Sequence, residues 1–383
     1  DKRKDLLYAG TETGVYVSWT GGTTWQPFQL NLPITPITDL MVKQGDLIVA
    51  TSGRSFWVLD DQALIRQYNS VNDGLKVYKP EEAMLGNWGS QLNSTSAEFK
   101  GTHPFSGVNP ANGVVIYYQL PTLADSVEVI MEIRDAAGKL VRKFSSKKDA
   151  SFQSYAGGPR PEPALSNDKG INRFVWDMRY ATMPGILNAY IEGSYQGHKV
   201  SPGSYSISIK YNGKESKTEC TILSNPVYGV SDGTYKEYHS FMTSMEEALT
   251  DMHVKTNTIF KMRKQIEEIL KDLPGDEKYK AVKKEGEALV KKMQAWDEDM
   301  VQRKSKAYDD VENFPNKFTA NYLFVINQTE SDIPRVNQPN RDRLQELSKE
   351  WNVLDARAKE ILNVDVPAYT KRLWEVGIGA VRA

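Results

Sequence analysis

The feature that most constrains this chain is a change of period near residue 232. Downstream of it, Tyr235, Tyr238, Met242, Met245, Leu249, Met252, Ile259, Ile266, Leu270 and Leu273 fall on three- and four-residue steps, and only Thr256 and Arg263 interrupt the seam. That spacing writes an apolar stripe along one face of a long helix. Ser231 or Asp232 is placed to cap the helix, and Pro274-Gly275 to end it. The methionines at 242, 245 and 252 read as bundle core. Further helices are expected at 276–305, 340–363 and 366–378, with Pro315 and Pro334 bounding the segment between. Long helices joined by short connections predict an antiparallel helical bundle over residues 229–383.

Upstream the pattern is short apolar runs punctuated by turns. Residues 14–25 read as a strand, a glycine turn and the start of a second strand. Gly21 and Gly22 adopt positive φ without steric cost. The short hydroxyls of Ser18, Thr20 and Thr24 suit a turn whose backbone they bond, and Trp25 offers a large apolar cover. Strands are expected at Leu6–Thr11, Val15–Ser18 and Trp25–Phe28. After the Pro33–Pro36 corner come Ile37–Lys43, Leu47–Thr51 and Phe56–Leu59. The stretches LLYAGTETGVYVS and DLIVATSGRSFWVLD repeat one plan, strand, small-residue turn and aromatic strand, which is the signature of blades. In this phase residues 6–28 supply the last three strands of one four-stranded blade and 37–59 the first three of the next. The expectation is that the chain starts partway through a propeller, with Trp25 and Trp57 packed on blade faces. Six strands do not close a ring, so their edges are expected to pair with further blades or a second copy.

Residues 67–228 carry longer strands. Gly113–Leu120, Ser126–Ile133, Lys139–Phe144, Gly170–Asp177, Pro202–Tyr211 and Ser216–Leu223 are strand-like, with hairpin turns at Asp135–Gly138 and Asn212-Gly213. Strands at this spacing predict an antiparallel β-sandwich. Residues 149–170 hold a Gly/Pro-rich loop. The fold class expected is therefore multidomain β plus α, with partial β-propeller blades at 1–66, an Ig-like β-sandwich at 67–228 and the bundle at 229–383.

With 48 basic against 49 acidic residues, nothing in the charge balance draws nucleic acid or anionic lipid. The single cysteine, Cys220, excludes an intrachain disulfide and a cysteine metal cluster. The histidines, His103, His198, His239 and His253, are scattered, and the last two are too far apart to share a helical turn. No metal site or cofactor is expected. No apolar run reaches the length of a membrane span.

The spacing Ser18-x-Thr20-x-Gly22-x-Thr24-Trp25 resembles an Asp-box of the BNR type, with Thr20 where the aspartate usually stands. Further motifs are Leu7-Tyr8-Ala9-Gly10-Thr11-Glu12-x-Gly14-Val15-Tyr16, Leu32-Pro33-x-Thr35-Pro36-Ile37-x-Asp39-Leu40 and Ala50–Asp61. Asn109-Pro110-x-Asn112-Gly113, Asn172–Tyr180 and Pro202-Gly203-x-Tyr205 follow in the sandwich region. In this order they resemble a bacterial family of secreted, BNR-repeat, sortilin-like propeller proteins often labelled glycosyl hydrolase. Its members more often have histidine where Ser52 stands. The resemblance runs to about residue 225 and more loosely into the helices. It implies a secreted, periplasmic or cell-surface location, and as partners the remaining blades of a parent protein or a second copy.

Catalysis on glycosides needs two carboxylates facing across one bond. Asp60 and Asp61 are neighbours, so in a strand they point to opposite sides and do not form such a pair. No catalytic residue is assigned. Arg54 and Tyr16 are the binding candidates a sialidase-type propeller offers here, with Asp60 beside them, although a turn arginine bonded to backbone also accounts for Arg54. Trp176, in Trp176-Asp177-Met178-Arg179-Tyr180, reads either as a ring that stacks on sugar or as a core plug with Asp177 and Arg179 paired outside. The reading is a non-catalytic segment of a secreted propeller protein that supports protein or carbohydrate binding. The alternatives are the closing part of a glycoside hydrolase propeller with its acids in other blades, and a component of a cell-surface assembly.

Overall fold

Two three-stranded antiparallel sheets occupy the first sixty residues of the computed structural model, which describes residues 3–68, 74–93, 108–121, 127–379 and 381. His103 and the expected strand start at Ser126 lie outside the described residues. The first sheet runs β1 (Leu7–Thr11), β2 (Gly14–Ser18), β3 (Gln26–Pro27) in order, and the second β4 (Ile37–Lys43), β5 (Asp46–Thr51), β6 (Phe56–Leu59). They approach closely at Gly10, where an added Cβ would lie 2.6 Å from Ile37 Cγ2. Around that contact Val15, Leu47 and Val49 are buried, with Tyr8, Phe28, Leu40, Trp57 and Leu59 packed against them. Gln44 and Gly45, both at positive φ, turn β4 into β5.

A short helix, α1 (Ala63–Gln67), follows. Trp19 Nε1 donates to the Ile65 carbonyl at 2.9 Å, and Tyr8 Oη donates to Gln62 Oε1 at 2.8 Å. Beyond it lie β7 (Lys76–Val77), β8 (Ala83–Met84), β9 (Val114–Leu120), β10 (Val129–Arg134), β11 (Leu140–Ser145), β12 (Gly170–Trp176), β13 (Gly203–Tyr211) and β14 (Lys214–Leu223). They form a five-stranded sheet, β11-β10-β13-β14-β8, and a three-stranded sheet, β12-β9-β7. Alternating burial along β10 sends Val129, Met131 and Ile133 inward. Aromatic pairs join the two sheets: Phe144 on Phe174 at 4.6 Å, and Trp176 edge-on to Tyr205 at 5.6 Å. Asn212 and Gly213, both at positive φ, make the two-residue turn between β13 and β14.

The helical region comprises α2 (Asp232–Asp272), α3 (Glu277–Met300), α4 (Phe318–Ser331), α5 (Gln338–Glu360), a π-helical turn (Ile361–Asp365) and α6 (Val366–Glu375). Ser231 caps α2, accepting from the Thr234 amide. The seam expected along α2 is buried from Tyr235 to Ile266, and Thr256 and Arg263 are buried in it. Thr256 Oγ1 donates to the Met252 carbonyl at 2.8 Å. The helix α4 falls in the segment between Pro315 and Pro334 that sequence periodicity leaves unassigned. Among the described residues no helix is long and apolar enough to cross a membrane.

The chain divides into two compact units, one of residues 1–148, 163–178 and 202–227, the other of 149–162, 179–201 and 228–383. The small sheets belong with the larger ones because Gln67 reaches across to Lys79: its Oε1 accepts from the Lys79 amide at 2.9 Å and its Nε2 donates to the Lys79 carbonyl at 2.7 Å. An Arg66–Glu81 ion pair reinforces the link. Residues 179–201 belong with the helices because Met183, Ile186, Ala189, Ile191 and Tyr195 bury into the helical core.

Candidate functional site

Strands β5 and β6 are apolar at nearly every position, so both faces of their sheet are apolar. Cross-strand pairing puts Leu40, Val49 and Trp57 on one face and Met41, Ile48 and Val58 on the other, with Phe56 and Ala50 extending the second face. The first face closes onto the sheet of β1–β3. On the second, Phe56 is 76 % exposed, Val58 54 % and Met41 53 %. The exposed apolar side chains are contiguous on this face rather than scattered.

The binding candidates do not converge on one point. Arg54 and Asp60 stand at opposite ends of β6. Arg54 sits in the β5–β6 turn, its amide bonded to Thr51 Oγ1 at 3.1 Å and its carbonyl accepting from Trp57 Nε1 at 2.9 Å. Tyr16 is half-buried on β2, opposite Ala9 and Pro27. Asp60 is exposed, and partial desolvation, helped by the Asp46 charge, raises its pKa. Trp176 is fully buried. Arg179 forms an ion pair with Glu330.

The hydroxyl turn is built as its residues allow. Ser18 Oγ accepts from the Gly22 amide at 2.9 Å and the Thr20 amide at 3.2 Å. Thr20 Oγ1 accepts from the Thr24 amide at 2.9 Å. Gly21 and Gly22 are at φ 64° and 92°. These side chains are spent on backbone. Trp25 is 42 % exposed, whereas Trp57 packs into the small core.

Asp61 follows Asp60 at φ 59°, in the left-handed region. Its Oδ1 accepts from the Ala63 amide at 2.9 Å. Burial pushes its carboxyl up to about 6, the Glu81 charge adding to the shift and Arg173 and Arg66 opposing it.

A second polar cluster, in the helical unit, escapes sequence reading. Glu246 on α2 accepts from the His198 amide at 2.7 Å and from His198 Nδ1 at 2.9 Å. His198 Nε2 lies 2.8 Å from Nδ1 of His239, two turns before Glu246 on α2, and Tyr180 stacks on both imidazoles at 4.6 and 5.2 Å. The same helix face serves the irregular segment elsewhere: His253 Nδ1 donates to the Pro184 carbonyl at 2.7 Å, and Asn257 bonds both the Leu187 amide and the Gly185 carbonyl at 2.9 Å. Residues 179–201 lack a ladder of their own over most of their length, so helical side chains satisfy their backbone. The signal in the sequence was the histidine, asparagine and glutamate placed beside the apolar seam. Among the described residues no group of His, Cys, Asp and Glu is arranged to hold a metal ion. Comparison of the chain with family models, curated proteins and solved structures gave no match.

Proposed function

We propose that this chain is a non-catalytic binding segment of a secreted propeller protein, with the two small sheets as blades and the larger pair as an Ig-like sandwich. The observation that carries the reading is the open apolar face of Met41, Ile48, Phe56 and Val58 on a sheet whose other face is already packed. Propeller blades stack sheet on sheet, so the occupant proposed for this face is a further blade of the parent protein. The turn at Ser18–Trp25, bonded to its own backbone, supports a structural role for that motif. A photocrosslinker placed at position 56 in the producing cell tests the reading. Crosslinks to other strands of the parent protein are expected. Crosslinks absent, or turnover of aryl glycosides or sialosides by the purified chain, would overturn it.

A further inference from the structure

Arg263 is the one charged residue in the apolar seam of α2, and nothing among its neighbours fully answers it. The residue is 8 % exposed, and its Nε is buried without a hydrogen-bond partner. Glu267, one turn on, comes within 3.5 Å of that nitrogen but outside hydrogen-bond geometry. A cation kept in a seam without a full partner is a standing cost to the fold. The Arg263 guanidinium lies 5.1 Å from the Phe260 ring centre, and on the same ring Arg303 lies at 3.9 Å.

Arg263 lines a cleft of about 400 Å³, together with Asp297, Glu298, Arg303, Lys304 and Lys317. Its charges sort unevenly. Asp297 is almost wholly buried and takes Arg303 in a two-pronged bond at 2.6 and 2.7 Å, while the third nitrogen of Arg303 donates to the Leu187 carbonyl. Each nitrogen of Arg303 is therefore engaged, and its charge is matched by Asp297. Glu298 accepts from Gln294 at 2.8 Å. With Asp297 matched by Arg303, the cations Arg263, Lys304 and Lys317 outnumber the one remaining carboxylate, Glu298, around one space, and among the described residues neither lysine is held in an ion pair.

We propose that this cleft is an anion-binding site, with Arg263 as its anchor, for a small ligand carrying a tetrahedral oxyanion, a phosphate or a sulfate group. The buried guanidinium offers a planar fork to such a group, and the two lysines add point charge at the rim. The volume is that of a small-ligand pocket. The inference stands apart from the propeller reading, since it uses the helical unit alone.

The probe is inorganic phosphate, and the measurement is the melting temperature of the whole chain against phosphate concentration, with sodium chloride holding ionic strength constant. A saturating rise is expected, because a ligand that binds only the folded state stabilises it. Sodium sulfate in a parallel arm tells whether the site reads the oxyanion shape in general or phosphate alone. Arg263→Met, which fits the seam, is expected to weaken the response about tenfold or more while melting no lower than the parent in chloride. Lys317→Ala is expected to weaken it several-fold. If Arg263→Met fails to fold, the Lys304→Ala, Lys317→Ala double variant decides, because both side chains stand off the seam. Absence of any rise beyond that in chloride, or a response undiminished in Arg263→Met or in the double variant, would overturn the proposal.

Discussion

In the sheet of β4–β6, Phe56, Val58 and Met41 stand in solvent, whereas in the helical unit Arg263, His253, Glu246 and Asp297 are buried. The two regions depart from the usual sorting in opposite directions. The small sheets are thin: among the described residues Val15, Leu47 and Val49 are the buried members of the core they share, and the second face of β4–β6 is left exposed. The helical core is deep enough to enclose polar groups, and two of those it encloses, Glu246 and His253, bond the irregular backbone of residues 179–201. Exposed apolar surface looks for a partner outside the chain. Enclosed charge looks for one inside it, and Arg263 is where that search is incomplete.

The largest effect expected from this contrast is at Trp296, which is fully buried and donates from Nε1 to the Leu354 carbonyl at 2.8 Å. Trp296→Ala should cost about 3–5 kcal/mol in denaturant unfolding followed by the helical circular-dichroism signal. A cost below about 1 kcal/mol would mean that the helical core is far looser than its packing implies.

Next is the pH response of His253. Burial, opposed by its bond to Pro184, lowers its pKa from 6.5 to about 4. Between those values the unfolded chain holds a proton that the folded chain does not, so stability falls as pH drops from about 6.5 to 4. The loss is about 3 kcal/mol when complete. His253→Gln should flatten that part of the profile, measured by denaturant midpoints across the range.

Asp61 gives the opposite slope. Its folded pKa is raised to about 6, so the folded state holds more protons between 3.8 and 6, and its contribution declines as pH rises through that window. Asp61→Asn keeps the oxygen that accepts from Ala63 and suits a positive φ. It should raise the melting temperature at pH 7 and leave it unchanged at pH 3. An equal gain at both values would assign the effect to backbone conformation. The smallest effect is expected at Phe56→Ser, within about 0.5 kcal/mol of the parent, since the ring is already in water. A large loss there would place that face in the folding core and erase the contrast.

The seam of α2 was legible because it has one clear period, and the strands of the first sixty residues because short apolar runs are set off by turn residues. The helix α4 was not. Its run Tyr322-Leu323-Phe324-Val325-Ile326 is apolar without interruption and fits a buried strand as well as a helix. Residues 179–201 were read with the sandwich because their neighbours in sequence are strands. Their attachment to the helices rests on single side chains such as Asn257 and Glu246, far off in the chain, which leave no period. The open face of β4–β6 was written in Phe56-Trp57-Val58-Leu59, where absence of alternation meant two apolar faces rather than a wholly buried strand. Arg263 was visible as a break in the seam, but its significance needed the cleft.

The π turn at Ile361–Asp365 has a consequence of another kind. Buried positions along α5 and α6 are Leu347, Leu354, Ala358, Ile361, Val366, Tyr369 and Leu373, and the step from 361 to 366 is five where a helix supplies three or four. The wide turn takes in the extra residue, so that Tyr369 and Leu373 stay in phase with the stripe before them. Elsewhere in this helix, loss of one residue would rotate everything beyond it by about 100° and expose the stripe. Within 362–365 the same loss would only tighten the turn to ordinary helix. The segment is thus a place where the reading frame of the fold carries one residue of slack, and where length variation among descendants of this gene would leave the least trace.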